Sequence, residues 1–259
     1  MADAQSVSPK LSQSAPLDIT LAKQSLFDPN TPPDDWVTPS DDSLLVIEAF
    51  DYPKFVGRYP EDIWEGRSGW RYAKTDPDKV YYKIVREADN LYLAAETKGE
   101  AVNFGREARV NLRLYQKLRW RWRVHSLPEG GNENDSDKND CAAAIRVIIG
   151  TSPLSAKAIK YVWSATLPPA TEIDSGRLKV IVVKGGPDKM GQWVWEEVNV
   201  YDDYVRLFGG DPRPADAFGL LTDSDNTNSF VKADYDDFIF LIPRPDKIEM
   251  VPDFMLKNP

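Results

Sequence analysis

Asp223, Asp225 and Thr227 occupy alternate positions in the run Asp223-Ser224-Asp225-Asn226-Thr227, and Asp234 follows at the twelfth place. Oxygen donors at that spacing echo a calcium loop. The pattern is incomplete, because Asn228 stands where a glycine is wanted and the closing acid is aspartate instead of glutamate. The same residues suit a ligand-contacting loop, with Asn226 contributing its amide, or an Asx-rich turn whose acids hold backbone amides. The acidic run Asp135–Asp140 departs further from a calcium loop, since Arg146 takes its twelfth place. Asp51 and the pair Asp236-Asp237 flank the first and last apolar runs. If those runs are neighbouring strands, the three carboxylates are candidates for a structural Ca²⁺. Arg121, Arg123 and Arg146 are the cationic candidates. Guanidinium forks suit carboxylate or phosphate, which favours an acidic sugar or an organic acid. Their competing use is pairing with Asp or Glu on adjacent strands.

Other chemistries lack their parts. Cys141 is the lone cysteine and His125 the lone histidine, so no intrachain disulfide is possible, no zinc set can be drawn, and no activating partner for a catalytic thiol is evident. Cys141 before Ala142-Ala143-Ala144 reads as a small buried apolar residue. Gly185-Gly186-Pro187 and Gly209-Gly210 are turns, since neither leads into the Lys-Ser/Thr and helix of a phosphate loop. Glycoside hydrolysis needs two carboxylates roughly 5–10 Å apart. Asp140, Asp223, Asp225, Glu196 and Glu197 are available, and spacing alone singles out no pair.

These residues must be positioned by strands. Trp120-Arg121-Trp122-Arg123, Tyr161-Val162-Trp163 and Trp193-Val194-Trp195 alternate with period two, so each segment sends its large aromatics to one side. Arg119, Arg121 and Arg123 then line the other side. Three guanidinium groups in a core would be costly to desolvate, so Trp120 and Trp122 are expected inside and the arginines outside. Trp193 and Trp195 follow the turn Lys189–Gln192 and are expected near a rim, with Trp195 available for stacking.

The short strand signals, about eleven between Leu44 and Ile242, and their Gly/Pro turns predict an all-β antiparallel sandwich. One short helix is expected over Val200–Gly210, capped by Asp202 or Asp203 and stopped by Gly209. Residues 1–43 are polar and turn-rich and read as a flexible arm, leaving 44–259 as a single domain. The net charge of −9 argues against nucleic acid or an anionic membrane as general partners. The charge is uneven, with seven basic residues against one acid from Arg106 to Arg123 and five acids against one lysine from Glu129 to Asp140. No apolar run approaches the roughly 20 residues of a membrane span. No signal peptide is evident, which fits a cytoplasmic protein or an exported one whose leader was removed.

The motifs Trp120-Arg121-Trp122-Arg123-Val124, Tyr161-Val162-Trp163, Gln192-Trp193-Val194, Asn199-Val200-Tyr201-Asp202-Asp203-Tyr204, Leu207-Phe208-Gly209 and Leu221–Thr227 occur in one order. Over roughly residues 45–242 this resembles a bacterial family catalogued as domain of unknown function 3047. The resemblance implies a jelly roll similar to carbohydrate-binding modules, and export to the periplasm or beyond. It also implies an Asp-Asp pair before the strand at Ala142 and an arginine before Asn199, where this chain has Asn139-Asp140 and Val198. The resulting expectation is a sheet face that binds a glycan or small acidic ligand through Arg121, Arg123, Arg146, Asp223, Asp225, Asn226 and Trp195. The alternatives are a glycan-processing hydrolase or lyase using the same acids, and a structural or partner-binding protein.

Overall fold

The computed structural model describes residues 44–58, 71–72, 81–150 and 155–243. The expected arm over 1–43 lies outside the described residues. The chain forms β1 (Leu44–Glu48), β2 (Arg71–Tyr72), β3 (Tyr82–Glu87), β4 (Asn90–Lys98), β5 (Ala101–Val110), β6 (Lys117–Ser126) and β7 (Ala143–Ile149). It continues with β8 (Lys157–Ser164), β9 (Glu172–Ser175), β10 (Leu178–Gly185), β11 (Val194–Asn199), the helix α1 (Val200–Phe208), β12 (Ala215–Asp223) and β13 (Phe230–Leu241).

Two sheets result. One is six-stranded, in the order β11-β6-β13-β4-β3 with β1 also on β13, and the other is seven-stranded, in the order β2-β5-β12-β7-β8-β10-β9. Within them, β4-β13-β6-β11 faces β5-β12-β7-β8, the strand order of a jelly roll. The first and last strands lie side by side as expected, with Val46 opposite Ile239. One strand pair departs from the antiparallel expectation, since β10 runs parallel to β8. The cause is β9, which reverses the chain in a tight turn at Gly176 and pairs antiparallel with β10. β9 is short and mostly exposed, so it carried no hydrophobic signal.

The core explains why β6 forms where it does. Trp120 and Trp122 are fully buried and meet Tyr161 and Trp163 of β8 across the sandwich, with ring centroids 5.9 and 6.0 Å apart. Each such side chain removes roughly 150–250 Å² from water. Trp122 Nε1 donates to Glu196 Oε1 and Trp163 Nε1 to the carbonyl of Gly186. The third aromatic segment goes the other way. In the β11–β6 register Val194 pairs with Trp122 and Trp195 with Arg121, so the valine takes the core side and the tryptophan the arginine side.

A buried ion pair also joins the sheets. Arg106 of β5 reaches Glu48 of β1 at 3.1 Å and donates to the Ile47 carbonyl at 2.7 Å. Glu48 Oε1 in turn accepts from the amides of Ala49 and Phe50, so the carboxylate also shapes the exit from β1. The helix forms where expected, but its cap is Asn199, whose side chain accepts from the Asp202 amide at 3.1 Å. Asp203 instead receives the Tyr161 hydroxyl at 2.9 Å, which ties α1 to the core. Gly209, at φ 72°, provides the stop, a backbone angle that suits glycine. Cys141 is buried, and burial pushes its thiol up to about 12. No described helix is long and apolar enough to cross a membrane.

Because Trp122 fills the inter-sheet core whereas Trp195 is exposed, their alanine variants should differ sharply. Trp122→Ala should cost about 3–5 kcal/mol, and Trp195→Ala less than about 0.5 kcal/mol. Urea unfolding midpoints of the two variants check this.

Candidate functional site

The outer face of the six-stranded sheet is built by β6 and its neighbours. With Trp120 and Trp122 inward, strand alternation turns Arg119, Arg121 and Arg123 outward. In the β13–β6 register Asp234 lies opposite Arg123 and Asp236 opposite Arg121. Arg123 Nε donates to Asp234 Oδ2 at 2.8 Å, and its Nη1 meets Glu87 Oε2 at 2.9 Å. Burial works against the Arg123 charge, but Asp234 outweighs it and the guanidinium pKa lies above its usual value. His125 Nε2 shares Asp234 Oδ2 at 2.6 Å. Arg121 contacts Asp236 Oδ2 at 2.5 Å, Asp237 Oδ2 at 2.7 Å and Asn90 Oδ1 at 2.6 Å. Two consecutive aspartates can face one arginine because β13 shifts register after Asp236, where Asp237 takes φ 56°. Arg119 pairs with Glu197. The partner acids come from β3, β11 and β13, not from the acidic run at 129–140.

Aromatic rings lie over these pairs. The Arg121 guanidinium sits 4.9 Å from the Trp193 ring centroid and 5.7 Å from that of Trp195. Arg123 sits 4.7 Å from Trp193 and 5.2 Å from Tyr92. Rings and guanidiniums therefore alternate from Trp195 through Trp193 to Tyr92, in contacts where the cation meets the negative face of each ring. Trp195 remains 43% exposed. Trp193 and Tyr92 had no part in the expected site; the signal for Trp193 was the period-two spacing that places it with Trp195.

The outer face of the seven-stranded sheet differs. Ile145 and Val147 of β7 enter the core, so Arg146 points away from it, and its cross-strand neighbour on β8 is Lys160. Arg146 Nη1 donates to Asn103 Oδ1 at 2.8 Å, while its Nε is buried without a hydrogen-bond partner among the described residues. Ala144, Val162, Val180, Val182 and Leu221 form an apolar floor together with Cys141. Lys160 is itself buried.

At one end of this face the β6–β7 and β12–β13 connections meet. Oxygens of Asp140, Asp223 and Asp225 lie within 4.8 Å of one another, a grouping that could hold a metal ion. Asp140 is fully buried, accepting from the Asn226 amide at 3.2 Å and from the Thr227 amide and hydroxyl at 2.7 and 2.6 Å. Asp223 Oδ1 is buried without a hydrogen-bond partner among the described residues. Burial raises the Asp223 carboxyl to about 7; Lys160 pulls it down, and Asp140 and Asp225 push it further up.

The calcium-loop spacing is therefore not realised as drawn. Asp234 belongs to the opposite sheet, where Arg123 and His125 hold it, and Thr227 is a donor to Asp140. Asp140, from a distant stretch of chain, completes the acid group instead. The seven expected ligand residues also divide. Arg121, Arg123 and Trp195 share the six-stranded face, whereas Arg146, Asp223, Asp225 and Asn226 share the other. Asp51, Asp236 and Asp237 are not part of the acid group; Asp236 and Asp237 face Arg121, because the β13 bulge turns both toward it. Of the candidate acids for glycoside hydrolysis, Glu196 accepts from Trp122 and Glu197 is engaged by Lys117 and Arg119.

An elevated carboxyl pKa in the folded state has a defined sign for stability. The folded chain holds the Asp223 proton to about pH 7, while the unfolded chain releases it near pH 4. Stability from this group is complete below about pH 4 and is lost as pH rises through 7, by on the order of a few kcal/mol. In chelator-treated protein, Asp223→Asn should flatten the pH dependence of the unfolding free energy between these limits, measured by denaturant titration.

Among solved structures the chain is similar to the family 11 carbohydrate-binding module of the cellulosomal cellulase Lic26A-Cel5E of Clostridium thermocellum. That likeness has 10% identity and a TM-score of 0.41, covering 79% of this chain and 97% of that one. It is also similar to TmCBM27, a carbohydrate-binding module that recognises mannan, at 11% identity and TM-score 0.33 over 78% of this chain and 99% of that one. TmCBM61, solved with β-1,4-galactotriose, gives 9% identity and TM-score 0.33 over 67% and 88% of the two chains. No curated protein matches the chain. The model of the family described as Protein of unknown function (DUF3047) matches residues 68–239, most of both sheets, and the chain belongs to that family.

Proposed function

We propose that this protein binds a carbohydrate-like ligand on the outer face of its six-stranded sheet, with Trp195 as the stacking platform and Arg121 and Arg123 as polar contacts. The observation that carries this reading is the exposure of Trp195, 43%, on a rigid strand beside Trp193 and Arg121. A pyranose ring presents an apolar C–H face that can lie on an indole, while its hydroxyls radiate toward the rim. Paired arginines and aspartates offer donors and acceptors at fixed positions, which suits vicinal hydroxyls. Because Asp234, Asp236 and Asp237 already neutralise the guanidiniums, the face favours a neutral glycan over an acidic one.

A glycan array followed by calorimetry tests the reading. Neutral glycans should outrank uronate-containing ones. Trp195→Ala should weaken a confirmed hit by at least about tenfold, ~1.4 kcal/mol, and Arg146→Ala, on the opposite sheet, should leave it unchanged. A hit that survives Trp195→Ala at full affinity would sink the assignment. Release of reducing ends from a polysaccharide panel, abolished by Asp223→Asn, would instead favour a hydrolase. Capture of a protein partner through surface arginines, with no sugar bound, would favour a docking role.

A further inference from the structure

Buried and half-buried arginines among the described residues are matched by acids, with one exception. Arg106, Arg119, Arg121 and Arg123 each have a carboxylate within ion-pair distance. Arg146 of β7, half-buried on the outer face of the seven-stranded sheet, has none among the described residues. Its Nη1 donates to the neutral side-chain oxygen of Asn103 at 2.8 Å, and its buried Nε meets no acceptor among the described residues. Lys160 stands directly opposite on β8, is 6% exposed, and likewise has no acid within ion-pair distance among the described residues. Asp223 and Glu133 feel its charge only across a longer gap. Like charges directly opposite one another on a sheet repel, and a buried cation without a partner is costly to desolvate. Both costs fall if an anion meets the pair.

The surroundings define what that anion carries. Gly105, Gly219, Arg146 and Lys160 follow one another across β5, β12, β7 and β8. The two glycines put no side chain beside the guanidinium, and glycine inside a strand marks places where a ligand can approach the backbone closely. The next row on the same face is Ala217, Ile148, Ala158 and Leu178, all half-buried. That row is an aliphatic shelf with no ring for a sugar to stack on. A guanidinium fork takes carboxylate or phosphate. Asp140, Asp223 and Asp225 gather at the opposite end of this face, and their charge opposes a dianion more than a monoanion.

We propose that Arg146 and Lys160 form a binding site for a small monocarboxylate with a short aliphatic body. The carboxylate sits on Arg146, in the field of Lys160, and the body lies on the shelf of Ala217, Ile148, Ala158 and Leu178. The site is on the sheet opposite Trp195 and stands independently of the glycan reading.

The test uses the full-length chain at low ionic strength, where charge pairing is least screened. Hexanoate, acetate, hexanamide and inorganic phosphate are titrated by calorimetry while thermal unfolding is followed in parallel. One hexanoate per chain should bind and raise Tm. Hexanamide lacks the charge and acetate the aliphatic body, so each should bind at least about tenfold more weakly. Phosphate should also bind more weakly than hexanoate. Arg146→Gln should weaken hexanoate binding at least about tenfold, and Arg146→Lys, which keeps the charge but not the fork, should fall between. Trp195→Ala should bind hexanoate as the parent does. Ala158→Glu tethers a carboxylate diagonally across from Arg146, within reach of a long side chain. It should raise the Tm of the ligand-free chain and abolish hexanoate binding, and it carries the test if Arg146→Gln fails to fold. An absence of hexanoate binding in the parent, or full affinity in Arg146→Gln or Ala158→Glu, would overturn the site. So would phosphate or hexanamide binding as tightly as hexanoate. A loss of hexanoate binding in Trp195→Ala would move the ligand to the six-stranded face and overturn it as well.

Discussion

The architecture depends on the packing of Trp120 and Trp122 against Tyr161 and Trp163. These four rings join β6 of one sheet to β8 of the other. They fix the register of β6, because a slip of one residue would exchange every inward and outward side chain. Three arginines would then enter the core and two indoles would leave it, with desolvation and burial opposing the slip together. The register of β6 in turn sets β11 and β13, which hydrogen-bond to its two edges. The outward arginines, the aspartates that face them and Trp195 are consequences of that one choice.

The two outer faces solve their charge problem differently. On the six-stranded face each of the three β6 arginines has an acid within ion-pair distance, and aromatic rings cover the pairs of Arg121 and Arg123. Low exposure strengthens these contacts but makes any missing partner expensive. On the seven-stranded face Asp140, Asp223 and Asp225 gather with Lys160 as the one cation beside Asp223 among the described residues. Burial and mutual repulsion hold the Asp223 proton far above its ordinary range. The Arg106–Glu48 pair shows a third use of charge, since it lies inside the sandwich and joins the sheets where no ligand can reach it.

Several elements were legible because their signal is local. The alternation in β6 and β8 gave both the strands and their buried face, and the turn Glu87–Asn90 joins β3 to β4 as its residue types imply. The helix over Val200–Phe208 followed from its apolar stripe and from Gly209. Its cap was misplaced by a few residues, because Asn, Asp202 and Asp203 are all good caps and only backbone geometry selects among them. β9 was invisible because it is polar and pairs by one edge only. Trp193 and Trp195 share the alternation of the core tryptophans, yet they face outward. Periodicity says which side chains share a face, not which face is buried.

The sequence by itself determined the class of fold, the sharing of faces along each strand and the inward set of β6, because covalent alternation and the cost of burying guanidinium act at short range. It also marked Asp223, Asp225 and Asn226 as oxygen donors. Only the tertiary structure decided that Arg121 and Arg146 lie on opposite sheets, that Asp234 belongs to Arg123, and that Asp140 joins Asp223 from 83 residues away. Those relations are set by strand order and by the β13 bulge. Strand order follows from how the two sheets close over one aromatic core, a property of the assembled chain that no local pattern contains.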